Sequence, residues 1–526
     1  MSGSNDPSSE TGDAKVVASG ARRPFSGTVE MPSTRARLRI LAAGVAVIVF
    51  LVSTSTAWRV GDGAEYLAMA LRLSEFKAPA MTPAEIRDMQ SRLLTLGHGF
   101  NGVPLGVPWL TGSDGRQDQP HFWFYPILAV PEIWLLKLFG LPPYYAFTLL
   151  NSGLLLAALW IGSATLNWPA LLLVFLSPVI WWLDKAHTEI FTFSLLAIAM
   201  ATMVDRPWWA LVSLALASTQ NPPLAVLLPV FFLIAAAIKP MVLSDRRLYL
   251  GSAAAILIAA LAPLYYGIRF KTSTIALLTG GTPLTTPSLA RFLVFVSDPN
   301  FGLIVWCPFL VLTTVITAIA LGLRKRALLL PALISFLIAL GFMYSFAQTS
   351  NLNSGGTFGM ARYAVWLIPL AIPLLAKGQA TFGAKFDRWL IQPAMMGVVW
   401  SLLLALPSYP EAYLYPTWLA NQIWLYHPSL NNPPAEVFYE RVTHSEGPIG
   451  PAATASCSKI LLLSSKSPPK TNSQATTGGP TDVDQVVQYA PACAIHTPIP
   501  LACKSNLALC YANRTATGYE IVPAPP

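Results

Sequence analysis

Long apolar runs recur between Ile40 and Pro407, and they limit the fold more strongly than any other feature of the sequence. A helix that crosses the roughly 30 Å hydrocarbon core of a bilayer needs about 20 mainly apolar residues. We find twelve apolar runs, near residues 40–58, 122–140, 144–163, 168–183, 187–204, 207–219, 222–238, 248–267, 301–323, 327–346, 362–377 and 389–406. The pattern predicts an all-α, polytopic membrane protein.

The charge content supports this class. Only 11% of the residues are charged and 54% are hydrophobic, whereas a soluble domain carries about 25% charged residues. The formal net charge of +9 comes mostly from basic residues at the ends of the apolar runs. That placement is typical of the positive-inside rule and not of a nucleic-acid-binding face. We therefore expect membrane lipids, and no nucleic acid, as partners.

The basic clusters also predict the number of crossings. If all twelve runs crossed, with the Arg-rich start of the chain inside, residues 239–247 and 324–326 would lie outside, against the positive-inside bias. If runs 144–163 and 168–183 together make one crossing, every basic cluster falls inside. This arrangement gives about 11 crossings, and it places a large first loop and the end of the chain on the extracytoplasmic side.

Three regions follow from this topology. Residues 1–39 are rich in Ser, Gly, Thr and Arg without apolar periodicity, so we expect a disordered cytoplasmic tail. Residues 40–407 form the transmembrane body, which includes the first extracytoplasmic loop at 58–121. Residues 408–526 form a small extracytoplasmic region.

The cysteines favour an oxidising compartment for that last region. Four of the five lie within it, namely Cys457, Cys493, Cys503 and Cys510. An even set of cysteines in a Pro-rich extracytoplasmic region predicts two disulfides, with three connectivities open. A zinc site is the alternative, but the sequence has no C-x2-C pair and no matching histidine spacing.

Two acids follow the first apolar run directly. Asp62 and Glu65 are three residues apart, so on a helix their carboxylates share one face with Tyr66 and Met69. Such a pair at a membrane surface can act as a general base or hold a divalent cation. Asp-x-x-Glu at a helix start is also a capping box, in which both side chains bind backbone N–H groups. Both interpretations stay open.

A second ionisable cluster, Asp184, Lys185, His187 and Glu189, lies between two apolar runs. Charged groups at membrane depth cost at least about 2–3 kcal/mol each unless they are paired or hydrated, so their presence suggests a function. The alternative is an interfacial turn with a Lys–Asp ion pair.

Arg362 heads a late apolar run on the predicted outer side. A guanidinium there suits bidentate contact with a lipid-linked phosphate, although an interfacial arginine also reaches ordinary headgroups. Arg269, Lys271 and Arg291, in the loop at 268–300, are competing candidates for the same contact.

With these residues in place, the sequence resembles the GT-C class of integral-membrane glycosyltransferases, which includes protein O-mannosyltransferases and lipid A aminoarabinose transferases. The resemblance spans roughly residues 40–407. It is carried by Gly61-Asp-Gly-Ala-Glu-Tyr66, by His121-Phe-Trp-Phe-Tyr-Pro126 at the return to the membrane, and by Gly359-Met-Ala-Arg-Tyr363.

The resemblance implies an inverting glycosyltransferase of a bacterial inner membrane with its active face in the periplasm. Such an enzyme moves a hexosyl or pentosyl group from a polyprenyl-phosphate-linked donor to a lipid, polysaccharide or protein. By motif match Asp62 is the catalytic base and Glu65 its partner or a metal ligand. The pattern here separates the acids, so which of them is the base stays open.

The resemblance also implies a set of donor contacts and leaves the cofactor unknown, a divalent cation at Asp62 and Glu65 being the candidate. The implied donor-binding residues are Tyr66, Asp184, His187, Glu189, Arg362 and Tyr363.

Two other functions are weighed against this one. A transporter or flippase of lipid-linked sugars favours internal repeats and ionisable residues at mid-span, whereas this sequence has no evident repeat and its polar residues gather on one predicted face. A non-catalytic envelope-assembly protein is the second alternative. The sugar, the acceptor, metal dependence and the oligomeric state are left open by the sequence.

Overall fold

A computed structural model describes residues 33–54, 57–100, 105, 110–238, 243–274, 288–349, 352, 360–405, 414–445, 452–455, 457–463, 509–516 and 518–524. Its α-helices are α1 Thr34–Thr54, α2 Gly63–Ser74, α3 Pro83–Leu94, α4 Phe124–Leu128, α5 Val130–Leu138, α6 Tyr145–Gly162, α7 Trp168–Phe175, α8 Glu189–Thr202, α9 Pro207–Ser218, α10 Leu227–Ile238, α11 Arg246–Phe270, α12 Leu289–Ser297, α13 Leu303–Trp306, α14 Pro308–Arg324, α15 Leu330–Phe346, α16 Arg362–Val365, α17 Ile372–Phe382, α18 Ala384–Ala405, α19 Trp418–Tyr426 and α20 Ala435–Thr443. The strands are β1 Leu110–Thr111, β2 Gln117–Asp118, β3 Ala452–Ala455, β4 Lys459–Leu463, β5 Leu509–Thr515 and β6 Gly518–Pro523.

The length and the exposed apolar surface of helix α1 are typical of a membrane-spanning helix. Its 21 residues span about 31 Å at 1.5 Å per residue, and most of its surface is exposed and apolar, including Val45, Val49 and Phe50. Four helical stretches among the described residues are long and apolar enough to cross a membrane: Thr34–Thr54, Tyr145–Gly162, Arg246–Phe270 and Arg362–Phe382. The prediction of a multi-pass, mainly helical membrane protein is confirmed. The total number of crossings stays a prediction.

The predicted end of the N-terminal tail, residue 39, falls inside α1. Arg37 lies over the Trp160 ring at 4.1 Å and donates to the Trp160 carbonyl at 2.9 Å. This contact with α6 fixes the first turns of α1, so residues 34–39 are helical. Residues 1–32 lie outside the described residues.

The two runs predicted to share one crossing differ greatly in length. Helix α6 has 18 residues, or about 27 Å. Helix α7 has only 8 residues, or about 12 Å, and a 3₁₀ turn at Pro178–Trp182 follows it. By its own length α7 does not cross a 30 Å core.

The first loop folds around α2, whose residues 63–72 are all buried. Helix α3 begins with a capping box in which Thr82 and Glu85 bind each other's backbone N–H groups. Arg72 of α2 pairs with Glu85 at 3.1 Å. The Arg72–Glu85 pair therefore connects the end of α2 to the start of α3.

Strands in two places correct the all-α expectation. Strands β1 and β2 form a short antiparallel hairpin in the first loop, and Arg269 at the end of α11 fastens it by pairing with Asp118 at 2.6 Å and with Asp114 at 3.1 Å. A Cβ on Gly112 would lie 2.5 Å from the Arg269 Nη2 atom. The guanidinium therefore packs directly on the hairpin backbone.

The second sheet is four-stranded and antiparallel, in the order β3-β4-β5-β6. Leu461 and Tyr511 of this sheet pack with Trp424 and Phe438 of α19 and α20. Cys457 and Cys510 belong to this region, whereas Cys493 and Cys503 lie outside the described residues. The disulfide connectivity therefore stays a prediction. We call the described parts of residues 414–524 the C-terminal region.

Candidate functional site

The two first-loop acids lie where the chain turns from α1 into α2. Gly61 has a φ of +42°, a backbone conformation that residues other than glycine rarely adopt. Asp62 is the N-cap residue of α2, but its side chain makes no capping hydrogen bond. The capping-box interpretation of Asp62 and Glu65 is therefore wrong. Both carboxylates are left for other partners.

The main partner of both acids is His121, just before α4. Its Nε2 atom lies 3.4 Å from Asp62 Oδ2 and 3.1 Å from Glu65 Oε2. The Tyr66 ring supports the imidazole, with the ring centroids 4.8 Å apart. Sequence analysis noted His121 only as part of a motif at the return to the membrane and missed it as a site residue.

The charges of Asp62 and His121 stabilise each other. Burial opposes ionisation of Asp62, but the neighbouring His121, His187 and Arg362 outweigh it and hold the pKa of Asp62 well below its usual range. Burial likewise opposes the charge of His121, but Asp62 and Glu65 raise the pKa of His121 to about 10. At neutral pH the site therefore contains a carboxylate beside an imidazolium.

The turn before α8 supplies a second histidine. His187 is fully buried, and its Nε2 atom lies 3.8 Å from Asp62 Oδ2. Its Nδ1 atom contacts Glu189 Oε2, and Glu189 is fully buried too. Asp184 instead pairs with Lys185. The structure thus brings His187 to Asp62, and it contains the Lys–Asp ion pair of the alternative interpretation as well.

Asn151 of α6 fixes the shape of this turn. Its Nδ2 atom donates to the Lys185 carbonyl at 2.9 Å and to those of Trp182 and Leu183 at 3.3 Å. Tyr125 of α4 donates to Asn151 Oδ1 at 2.9 Å. Sequence analysis missed Asn151 and Tyr125. An amide inside an apolar run was the available signal for the first of them.

Arg362 enters the site from the start of α16. Its Nη1 atom lies 3.7 Å from Asp62 Oδ2, and its Nη2 atom donates to the Tyr363 hydroxyl at 2.9 Å. The competing candidates lie in other contacts. Arg269 pairs with the hairpin acids, and Arg291 donates to the Ala347 carbonyl at 2.9 Å. Arg362 is thus the predicted arginine that contacts Asp62.

Asp62, Glu65 and His121 could also hold a metal ion, because one ligand atom from each lies within 4.8 Å of the others. Glu65 Oε2 and His121 Nε2 are buried and make no well-aligned hydrogen bond. Two carboxylate oxygens and an imidazole nitrogen suit a divalent ion such as Mn²⁺ or Zn²⁺. A bound cation would replace the proton on His121.

Comparison with known proteins gives little further guidance. No family model and no curated protein sequence matches the chain. Among solved structures, ArnT from Cupriavidus metallidurans in the apo state is similar, at 16% sequence identity and a TM-score of 0.39. The similarity covers 75% of this chain and 69% of ArnT. Because a TM-score below 0.5 does not carry a function from one protein to another, the function is argued from the site itself.

Proposed function

We propose that this chain is an inverting glycosyltransferase that moves a sugar from a polyprenyl-phosphate-linked donor to a hydroxyl group of an extracytoplasmic acceptor. The observation that carries the proposal is the placement of Asp62. A half-buried carboxylate follows the first membrane helix, with Arg362 at 3.7 Å and His121 at 3.4 Å. Cationic groups beside a reactive carboxylate suit a donor whose leaving group is an anionic phosphate.

The proposed reaction proceeds by attack of the acceptor oxygen on the anomeric carbon. The new carbon–oxygen bond forms as the bond from that carbon to the phosphate oxygen breaks, and the phosphate leaves with the electron pair. The acceptor proton passes to Asp62. A carboxylate with a lowered pKa is a weak base, but it suffices here because the acceptor oxygen becomes strongly acidic once it bonds to the anomeric carbon.

The other residues receive supporting roles in this proposal. Arg362 binds the departing phosphate, and Tyr363, which bonds to Arg362, lies beside it. His187, which Glu189 contacts through its other ring nitrogen, lies beside Asp62, and Tyr66 supports His121. Asp184 stays a proposed donor contact that acts through its pair with Lys185. The acceptor is a lipid, a polysaccharide or a protein.

The proposed location is a bacterial inner membrane with the site on the periplasmic side, as the basic clusters favour. We expect a membrane-impermeant maleimide to label Phe76→Cys, which is 88% exposed in the first loop, in intact cells. The same reagent should label Lys325→Cys only after the cells are permeabilised. The native sequence is the background control. Label at 325 and not at 76 in intact cells would invert the topology and leave the site without a lipid-linked donor.

A divalent cation is the proposed cofactor, held by Asp62, Glu65 and His121. We expect Mn²⁺ or Zn²⁺ to raise the melting temperature of the detergent-purified wild-type protein. The increase should be absent in Glu65→Gln and in His121→Asn, because each variant removes one of the three ligands. An equal increase of the melting temperature in all three proteins would mean that the ion binds elsewhere. No increase in any of them would contradict the metal site and leave protonated His121 as the cationic partner of Asp62 and Glu65.

Glycan and lipid profiling of a deletion strain tests the function as a whole. We expect the deletion to lose one sugar modification and to accumulate its lipid-linked donor. Complementation with the wild-type gene should restore the product, and Asp62→Asn should not. Full restoration by an Asp62→Asn protein present at the wild-type level would contradict catalysis and favour an envelope-assembly role.

A further inference from the structure

The C-terminal region contacts a turn of the membrane body, Asp298–Gly302, which we call the 298–302 turn. Thr417, before α19, contacts it twice. Its backbone N–H donates to Asn300 Oδ1 at 3.2 Å, and its hydroxyl donates to the Pro299 carbonyl at 2.7 Å. Asn431 donates to Asp298 Oδ2 at 3.5 Å. Two separate segments of the C-terminal region therefore hold the same turn.

Two buried groups of opposite charge lie near this contact. Arg441 of α20 is 1% exposed and Asp298 is 3% exposed, and the Arg441 guanidinium lies 5.5 Å from the Phe301 ring. Burial lowers the pKa of Arg441 to about 10, while the charge of Asp298 opposes that change. Because an uncompensated buried charge is strongly destabilising, each of the two groups favours keeping the other in place.

The turn itself has little room to move. A Cβ on Gly302 would lie 2.6 Å from the Asp298 nitrogen and 2.8 Å from the Val296 carbonyl oxygen. Within the turn, the Gly302 N–H donates to the Asp298 carbonyl at 2.8 Å, and the Asn300 N–H donates to Asp298 Oδ1 at 2.7 Å. The Phe301 carbonyl is therefore fixed in position.

The Phe301 carbonyl connects the turn to the candidate active site through a hydrogen bond. The Ala361 N–H donates to the Phe301 oxygen at 3.1 Å, and Ala361 is the residue directly before Arg362. The backbone at which α16 begins is thus bound to the same turn that the C-terminal region holds. From Thr417 to Asp62 the chain of contacts runs through Pro299, Phe301, Ala361 and Arg362.

We propose that the C-terminal region positions Arg362 for the donor phosphate by holding the 298–302 turn, and that Thr417 is a positioning residue of the enzyme. The role of Arg362 in binding the donor phosphate rests on the proposed function. The mechanical coupling between the C-terminal region and Arg362 does not. A rigid turn keeps the guanidinium at one distance from Asp62. If the turn were loosened, the Arg362 guanidinium could move away from the position in which it is proposed to bind the donor phosphate.

Hydrogen exchange tests the coupling directly on the full chain in lipid nanodiscs. We expect Thr417→Val to speed amide exchange in the 360–366 segment roughly fivefold to tenfold, because it removes the hydrogen bond to Pro299 and, with it, the N-cap of α19, which accepts from the Ala420 N–H. Thr417→Ser keeps the hydroxyl and should exchange like the wild type. Tyr519→Phe loses a hydrogen bond to the Cys457 carbonyl within the C-terminal region and should leave this segment unchanged. Equal exchange in Thr417→Val and Thr417→Ser would overturn the proposal.

Kinetics supply the second readout. With a polyprenyl-phosphate-sugar donor, Thr417→Val should raise the KM for the donor roughly fivefold while kcat changes less than twofold, and Thr417→Ser should restore the wild-type KM. Faster exchange with an unchanged KM would overturn the role in donor binding. If the wild-type chain itself transfers no sugar, the proposed function has failed, and the exchange measurement alone still decides the coupling. Gly302→Ala, which distorts the turn from within, should reproduce the Thr417→Val exchange pattern.

Discussion

Replacing Asp62 with asparagine is expected to lower kcat for sugar transfer by about 10²–10⁴-fold. The amide has nearly the same shape as the carboxylate, but it cannot accept the proton that the acceptor hydroxyl releases. It also removes the negative charge opposite His121 and Arg362, so the two cationic groups would lose their shared partner. The KM for the donor should change far less than kcat.

The rate is measured with purified protein, a polyprenyl-phosphate-linked sugar and a suitable hydroxyl acceptor. Asp88→Asn is the matched control, because Asp88 is an exposed acid on α3 of the same loop and the same substitution there should leave the rate unchanged. Glu65→Gln decides between the two acids. If Glu65→Gln loses more activity than Asp62→Asn, the base is Glu65. If neither loses tenfold, the site does not catalyse transfer.

Replacing Arg362 with glutamine is expected to raise the KM for the lipid-linked donor by about 10–100-fold. A hydrogen bond to a charged group contributes roughly 1.5–3 kcal/mol, and glutamine cannot supply the charge. Arg362→Lys should give a smaller increase, because the lysine keeps the charge but lacks the planar fork that grips two phosphate oxygens. The defect should lie in KM more than in kcat, which distinguishes it from the Asp62 variant.

The measurement is a donor titration at a fixed acceptor concentration. Arg87→Gln is the matched control, because Arg87 is exposed on α3 in the first loop and should not affect donor binding. An Arg362→Gln enzyme with the wild-type KM and a lowered kcat would instead assign Arg362 to the chemical step. Wild-type values of both constants would remove Arg362 from the donor site.

The parts of the site that the sequence predicted are those encoded locally. Asp62 and Glu65 follow the first apolar run and share a helix face, so spacing alone brought them together. Arg362 stood out as a charge at the head of a run. His121 and Asn151 were missed because tertiary packing, and no local pattern, brings His121 to these acids and Asn151 to the turn before α8. Their partners are far along the chain.

The fold shows the same division. Composition and apolar runs sufficed to predict a helical, multi-pass membrane body, because burial in lipid forces long apolar helices. The hairpin at Leu110–Asp118 and the sheet of the C-terminal region were missed, since their strands are short and pack on distant partners, namely Arg269 for the hairpin and Trp424 and Phe438 for the sheet. Helix α7 shows why crossings are hard to count, because an apolar run does not reveal how much of it is helical.

The attachment of Arg269 to the first-loop hairpin has a consequence for the response of the candidate site to the surrounding lipid. Helix α11 has 25 residues, or about 37 Å, which is longer than a typical hydrocarbon core. Such a helix accommodates a thinner bilayer by tilting further. Arg269 at the end of α11 pairs with Asp118, which lies three positions before His121. A change in the tilt of α11 is therefore expected to displace β2 and, with it, the His121 imidazole that lies between Asp62 and Glu65. The thickness of the host membrane is thus expected to influence the geometry of the candidate site.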